Sequence, residues 1–142
     1  MIEINKYINK LKVNNKKKDI PVFACVIKDE QIVAYSYNNS YKNKNISGHA
    51  EINAINKAVK KLKTNNLSEC TLFTTLEPCL MCYGAIKLAK ISEVNYLLEN
   101  NKMSFRNEVN IDEIKLKISK IKNPELEKKY QSLITNFFEN IR

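Results

Sequence analysis

The chain has 142 residues, of which 44% are hydrophobic and 27% charged, and a formal net charge of +9. These values are typical of one globular domain, and no apolar run approaches the ~20 residues that span a bilayer, so we expect a single domain over residues 1–142 and no membrane partner. The N-terminal segment carries charges among its apolar residues and has no signal-peptide pattern, which predicts a cytoplasmic location.

The positive charge is compatible with binding to a nucleic-acid backbone. It comes almost entirely from lysine, since Arg106 and Arg142 are the only arginines, in a sequence that is rich in Lys, Asn and Ile throughout. General coding bias explains such a composition equally well, so the charge alone does not indicate a partner.

The hydrophobic pattern predicts helices and strands in alternation. In chain order, the predicted elements are a helix over residues 2–13, strands Val22–Ile27 and Gln31–Ser36, a polar loop over 38–48, a helix starting near Gly48 and capped by Ser47, strand Thr71–Thr75, a helix from Pro78 through Leu88 or Ala89, strands Val94–Leu98 and Ile114–Ile118, and helix Pro124–Ile141. The first two strands form a hairpin. Strands that alternate with helices of this length predict an α/β layer fold with a partly parallel sheet.

Three residues form a pattern typical of a catalytic metal site. Cys79 and Cys82 are three residues apart at a predicted helix start, so both thiolates can face one metal, and His49 is the only histidine of the chain. One nitrogen and two sulfur ligands leave a fourth tetrahedral position for water, which is typical of catalytic zinc. The positive ends of two helix dipoles would stabilise the thiolates. We therefore predict one Zn²⁺ bound by His49, Cys79 and Cys82.

Glu51 follows His49 by two residues and is not needed as a ligand. A carboxylate beside zinc-bound water can take its proton, pass it to a ring nitrogen of a substrate, and protonate a departing amine. We therefore predict Glu51 as the catalytic proton shuttle of a hydrolytic deamination by zinc-bound hydroxide. A redox role for Cys79 and Cys82 is the alternative that the Cys-x-x-Cys spacing allows. That alternative leaves His49 and Glu51 without a role.

The longer motifs resemble the cytidine deaminase superfamily, in which His-x-Glu precedes Pro-Cys-x-x-Cys. The run Thr74–Ile86 is similar to that of the bacterial tRNA-specific adenosine deaminases, which convert the wobble adenosine of an arginine tRNA to inosine. Other positions also fall in register with that family: Ile20–Val22, Asn38, Leu133, Phe137, Phe138 and Arg142. The resemblance covers most of the chain.

The resemblance implies a fold, a substrate and partners. The implied fold is a three-layer α/β/α sandwich of the cytidine deaminase type with a mixed central sheet, and the implied assembly is a homodimer with one Zn²⁺ per subunit. The implied partner is the anticodon arm of tRNA, whose flipped-out adenine would be bound by the side chain of Asn38 and the backbone of Ala50.

Two features depart from the tRNA deaminase pattern. Phe23 stands where that family has a small glycine, so its ring must either turn into the core or change the packing beside the pocket. The segment from Tyr96 to Asn110 lacks the Gly-rich loop with an Asp-x-Lys-x-Gly pattern. The alternatives are therefore deamination of a free base or nucleotide, such as guanine, cytosine or deoxycytidylate, or a non-catalytic module that binds zinc and RNA.

Overall fold

The structure, a computed structural model, describes residues 4–14, 18–110 and 115–140. Its helices are α1 (Ile4–Asn14), α2 (Ser40–Asn43), α3 (Ala50–Leu62), α4 (Leu80–Leu88) and α5 (Pro124–Asn140). Its strands are β1 (Phe23–Lys28), β2 (Gln31–Tyr37), β3 (Thr71–Leu76), β4 (Glu93–Leu98) and β5 (Lys117–Lys120), and a single 3₁₀ turn spans Phe105–Asn107.

The five strands form one sheet in the order β2-β1-β3-β4-β5. β1 pairs antiparallel with both β2 and β3, whereas β3, β4 and β5 run parallel. α4 connects β3 to β4 as a crossover, because parallel neighbours cannot be joined by a tight turn. The mixed sheet that we predicted is confirmed.

Alternation along the strands gives the sheet two differently packed faces. Ala24 and Val26 of β1 pack with residues of α3 and α4, while Phe23 and Cys25 pack with residues of α1 and α5. Helices therefore cover both faces, and the predicted three-layer α/β/α arrangement is confirmed. No helix in the described ranges combines the length and the apolar character that crossing a membrane requires.

The closing helix α5 has an apolar stripe. Leu126, Tyr130 and Phe137 are buried in it. Phe138, which contributed to the family resemblance, is 42% exposed, and Arg142 lies outside the described residues. The stripe thus holds α5 on the sheet, while the last aromatic residue of the motif faces solvent.

Helix α3 begins later than predicted. His49 is its N-cap, with φ −86° and ψ 148°, and Ala50 is its first residue. Ser47 is therefore not the cap. Its hydroxyl donates instead to Asn45 Oδ1 at 3.0 Å, within the turn that precedes the helix.

Helix α4 also begins later than predicted, with Cys79 as its N-cap and Leu80 as its first residue. Pro78 is consequently not the first helical residue. Its carbonyl accepts a hydrogen bond from the N–H of Phe105, at 3.0 Å, instead of one from the helix. Cys82 lies in the first turn of α4, as predicted.

Two further elements differ from their predictions. The polar loop over 38–48 contains the short helix α2, because the Asp19 carboxylate accepts hydrogen bonds from the N–H groups of Tyr41 and Lys42, at 2.6 and 3.1 Å. The last strand is Lys117–Lys120 rather than Ile114–Ile118, and residues 111–114 lie outside the described ranges.

The outer edge of the sheet, at β2, is covered by side chains of α3. Side chains four residues apart on α3 hydrogen-bond to backbone carbonyls two residues apart on β2. The bonds run from Asn53 Nδ2 to the Tyr37 carbonyl at 3.1 Å, from Lys57 Nζ to the Tyr35 carbonyl at 3.2 Å, and from Lys61 Nζ to the Val33 carbonyl at 3.1 Å. Each of these three outward carbonyls of the edge strand therefore has a partner within the chain.

Candidate active site

The three predicted metal ligands meet at one point. His49 Nδ1 lies 3.6 Å from Cys79 Sγ and 3.5 Å from Cys82 Sγ, and the three ligand atoms all lie within 4.8 Å of one another. A tetrahedral zinc ion with Zn–S of about 2.3 Å and Zn–N of about 2.05 Å requires a sulfur-to-nitrogen separation of about 3.6 Å. The donor set and its spacing therefore fit Zn²⁺.

Two helix starts place these ligands. His49 and Cys79 are the N-caps of α3 and α4, and neither side chain caps its helix by a hydrogen bond. Cys82 lies three residues after Cys79, on the same side of α4. The N-terminal ends of both helices therefore point toward one place, where their dipoles favour negative charge.

Hydrogen bonds among the three groups favour a thiolate. A hydrogen bond with the Cys82 thiol, together with one from His49, lowers the pKa of Cys79 to about 4. The same hydrogen bond and burial raise the pKa of Cys82, and the hydrogen bond to Cys79 raises the pKa of His49. The cluster thus holds negative charge on Cys79 and shares protons that a bound cation would replace.

Glu51 lies beside the metal ligands in the first turn of α3. Its side chain is buried, and its carboxyl group hydrogen-bonds with Cys82. Burial raises the pKa of Glu51 to about 7. The structure therefore places an acid–base group next to the predicted metal site without making it one of the three clustered ligands.

A cavity of about 530 Å³ opens onto these groups. It lies at the carboxyl ends of β3 and β4, which is where α/β sheets commonly bind ligands. Apolar and polar groups share its wall: Ile20, Val22, Asn38, His49, Glu51, Leu76, Cys79, Asn100 and Met103. An apolar pocket with a few convergent polar groups is suited to a flat heterocyclic base.

Asn38 and Ala50, the two predicted base-binding groups, contact each other. Asn38 Oδ1 accepts a hydrogen bond from the Ala50 N–H at 2.7 Å. The Ala50 N–H is therefore engaged by Asn38 within the chain, and its predicted contact to a base stays a prediction. Within the described residues no acceptor pairs with Asn38 Nδ2, and Asn38 lines the cavity. Its amide nitrogen is thus a donor that is available to a ligand in the cavity.

Phe23 turns away from this cavity. Its side chain is fully buried on the α1/α5 face, and its ring stacks on Tyr7 with centroids 4.7 Å apart and planes 14° apart. The neighbouring Val22 lines the cavity instead. The departure at Phe23 therefore changes the core of the opposite layer and leaves the pocket open.

Two supporting residues were not assigned a role from the sequence. A Cβ added to Gly48 would lie 2.5 Å from Asn39 Oδ1 and 2.9 Å from the backbone of Ser40, so only glycine fits before His49. Glu77, two residues before Cys79, is a buried carboxylate. A signal was available for each: Gly48 is one of two glycines in the chain, and Glu77 is a charge between an apolar strand and the Cys-x-x-Cys motif.

Comparison of the sequence with known families identifies the group to which it belongs. Residues 2–142 match the family described as MafB19-like deaminase. The chain belongs to this deaminase family. It is 33% identical over 135 residues to the tRNA-specific adenosine deaminase of Buchnera aphidicola subsp. Baizongia pistaciae. The aligned segment covers 92% of this chain and 83% of that relative. The resemblance of this deaminase to the tRNA adenosine deaminases is therefore confirmed.

Other relatives match this deaminase over shorter segments. The tRNA-specific adenosine deaminase of Aquifex aeolicus is 38% identical over 79 residues, which is 56% of this chain. The match spans about half the length of the Aquifex protein, 52%, and 61% of the length of the tRNA-specific adenosine deaminase of Rickettsia bellii. The shared segments therefore show the family without showing the activity of the whole relatives.

Solved structures share the fold of this deaminase. A chain solved in a study of A-to-I editing by tRNA:A34 deaminases gives a TM-score of 0.73 and 22% identity, covering 83% of this chain and 95% of that chain. Guanine deaminase from Bacillus subtilis gives a TM-score of 0.64 and 26% identity, covering 92% and 93%. The fold is common to proteins named for different substrates, so it does not by itself select one.

Proposed function

We propose that this chain is a zinc-dependent hydrolase that converts adenosine to inosine at the wobble position of tRNA, with arginine tRNA as the substrate. One observation carries the proposal. The His49, Cys79 and Cys82 ligand atoms have the spacing of a zinc site and lie beside the buried Glu51 on a cavity of about 530 Å³, large enough to admit a base. The identity of 33% to a tRNA-specific adenosine deaminase supports adenosine as the base.

The reaction consumes water and releases ammonia. When bound by His49, Cys79 and Cys82, Zn²⁺ supplies a Lewis acid that brings the pKa of water to about 7. The Glu51 carboxylate accepts a proton from the attacking water and delivers it to N1 of the adenine ring. It then carries the second proton to the departing amine, which leaves as ammonia. Glu51 thus ends the cycle in the form in which it began.

The cavity walls orient the base. Asn38 Oδ1 is held by the Ala50 N–H at 2.7 Å, so Asn38 Nδ2 is presented to a ring nitrogen of the substrate. Ile20 and Leu76 line the cavity with apolar surface, which excludes water from the flat faces of the base. These contacts hold the reacting carbon near Glu51.

The assembly and location follow from the same proposal. We infer a single domain over residues 1–142, a homodimer with one Zn²⁺ per subunit, and a cytoplasmic enzyme that acts on the tRNA anticodon arm. The lysine-rich composition, with a net charge of +9, is compatible with contact with a phosphate backbone.

Guanine is the second candidate substrate, because a specific comparison favours it. The guanine deaminase of Bacillus subtilis shares 26% identity over nearly the whole of both chains. The buried Glu51 counts against a non-catalytic zinc and RNA-binding module, because such a module has no use for a carboxylate beside its metal.

The test offers both substrate classes to the purified chain. We expect inosine at the wobble position of an arginine tRNA transcript that carries A there, and no ammonia from guanine, cytosine or deoxycytidylate. Turnover on guanine alone contradicts the tRNA proposal and supports the second candidate.

Two variants test the role of Glu51. Glu51→Ala should retain zinc and lower the rate by about 10²–10⁴-fold, the usual contribution of a general acid–base group. Glu69→Gln is the matched control, because it removes a surface carboxylate that is 79% exposed, and it should leave the rate unchanged. A near-normal rate in Glu51→Ala would rule out the proposed proton shuttle.

A further inference from the structure

Glu77 receives four hydrogen bonds from one short segment. Its Oε1 accepts from the Asn100 N–H at 3.1 Å and from Arg106 Nη2 at 2.8 Å. Its Oε2 accepts from the Ser104 hydroxyl at 2.9 Å and from Arg106 Nε. The carboxylate is 1% exposed, so residues 100–106, which we call the rim segment, replace its hydration entirely.

The rim segment also contacts the backbone of residues 77–79, the turn that carries Cys79. The Phe105 N–H donates to the Pro78 carbonyl at 3.0 Å, and Ser104 forms an isolated antiparallel bridge with Cys79. Any displacement of the rim segment therefore acts directly on the backbone of Cys79.

The rim segment contacts the second cysteine turn and the cavity as well. The Phe105 ring stacks on Tyr83, which follows Cys82, with centroids 4.9 Å apart and planes 11° apart. Asn100 and Met103 line the cavity. One segment thus supports both cysteine positions and forms part of the substrate wall.

Arg106 supplies the opposite charge that faces the buried Glu77 carboxylate. A carboxylate removed from water needs both an opposite charge and full hydrogen bonding. Arg106 reaches from the surface, with 37% of its side chain exposed, and binds both carboxylate oxygens with its planar fork. Lysine has a single ammonium group and cannot form this paired contact.

We propose that Arg106 is a positioning residue: through Glu77 it fixes the turn that presents Cys79 to the metal, and it holds the rim of the cavity in place. Neither Arg106 nor Glu77 is a metal ligand in this proposal. The inference rests on the proposed metal site, and it does not depend on which base the enzyme deaminates.

The experiment measures metal binding in the full chain. The variants are Arg106→Gln, Arg106→Lys and the double change Glu77→Gln with Arg106→Gln, which removes both charges and so leaves no unpaired buried ion. The control is Lys28→Gln, because Lys28 has a similar exposed fraction, 35%, and pairs with Glu69 at the end of the sheet opposite the cysteine turns. Zinc affinity is measured by competition with a chromophoric chelator, and ligand geometry by the visible spectrum of the Co²⁺ form.

We expect Arg106→Gln and the double variant to weaken zinc binding by about tenfold, the lower end of the effect known for groups that support metal ligands, and to change the Co²⁺ spectrum. Arg106→Lys should restore part of the affinity, and Lys28→Gln should match the wild type. If Arg106→Gln does not fold, the double variant gives the result.

Wild-type zinc affinity and an unchanged Co²⁺ spectrum in both variants would overturn the positioning role, as would equal weakening by Lys28→Gln. A wild-type chain that binds no zinc overturns the metal site and this inference with it. Deamination of guanine instead of tRNA would contradict the proposed substrate, whereas weakened zinc binding in Arg106→Gln would still support the role of Arg106.

Discussion

The two turns that present the metal ligands are held in different ways. The turn before α3, residues 47–50, is held by close packing and a neutral hydrogen bond. Gly48 packs against Asn39 and Ser40, and the Ala50 N–H donates to the side-chain amide of Asn38. The turn before α4, residues 77–79, is held by charge, with a buried carboxylate bound by four donors. One half of the metal site therefore depends on close packing and the other on an ion pair.

This difference determines which changes each turn can tolerate. A packed turn fails when atoms are added, because protein interiors have little free space. A charged turn fails when one partner is removed, because the other charge then remains buried and unpaired. Substitutions that add volume should therefore act on the α3 turn, and substitutions that remove charge should act on the α4 turn.

The largest effect is expected from Gly48→Ala, which tests the packed turn. The added Cβ would lie 2.9 Å from the backbone of Ser40, so the backbone itself must move. We expect a loss of about 1–3 kcal/mol in the free energy of unfolding, as for other overpacked sites, and weaker zinc binding through His49. Urea denaturation and chelator competition measure the two effects. An unchanged free energy of unfolding would show that close packing does not hold this turn.

Asn38→Ala tests the neutral hydrogen bond of the same turn. It leaves the buried Ala50 N–H without its acceptor, so we expect the free energy of unfolding to fall by about 1–2 kcal/mol. Asn38→Asp keeps an oxygen at this position and should recover at least half of that loss. Equal destabilisation by both variants would show that the side-chain oxygen has no supporting role.

Tyr130→Phe tests a support that reaches the site from the opposite face of the sheet. The Tyr130 hydroxyl donates to the Pro21 carbonyl at 2.7 Å, next to the cavity residues Ile20 and Val22. Loss of this bond should lower the free energy of unfolding by about 0.5–1.5 kcal/mol near neutral pH.

The pH dependence of this variant has a definite sign. Burial raises the pKa of Tyr130, so its hydroxyl stays protonated in the native state, while the unfolded chain ionises near pH 10, at about the ordinary tyrosine pKa. The stability from this group is fully present below pH ~10 and is lost above it. The stability difference between Tyr130→Phe and the wild type should therefore shrink as pH rises above ~10. Urea denaturation at pH 7 and pH 10.5 tests this, and a growing difference would contradict it.

The smallest effect, and the only stabilisation, is expected from Gly84→Ala. Gly84 lies within α4, and a Cβ there has nothing within 4 Å. Alanine lowers the conformational entropy of the unfolded chain, so we expect a gain of about 0.5–1 kcal/mol in the free energy of unfolding. Thermal unfolding at low protein concentration measures it. A loss of stability would show that a group outside this chain occupies the space beside α4.

The metal ligands could be predicted because helix spacing pairs the residues at each helix start, and the resemblance of the two motifs to a known zinc site joins His49 to Cys79 across 30 residues. His49 and Glu51 share one helix start, and Cys79 and Cys82 share another, so helix spacing alone places each pair. The role of Glu77 could not be predicted, because its donors lie 23 to 29 residues further along the chain.

The errors in the predicted helices have one local cause and one distant cause. Ser47 was predicted as a cap from its residue type, but its hydroxyl donates to Asn45 Oδ1 and does not cap the helix. The short helix α2 was missed because its N–H groups are bound by Asp19, which is 22 residues from Tyr41. The elements themselves were predictable because the hydrophobic spacing of each one reflects a face of the same core.

The side chains of α3 that cover β2 have a consequence for self-association. A second copy could extend the sheet at this edge only by taking over carbonyls that Asn53, Lys57 and Lys61 already bind. Two lysine ammonium groups would have to return to water, and two positively charged rows would approach each other. Strand exchange and fibril-like stacking are thereby disfavoured at β2. Part of the lysine content thus blocks strand pairing at the β2 edge, independently of any nucleic acid.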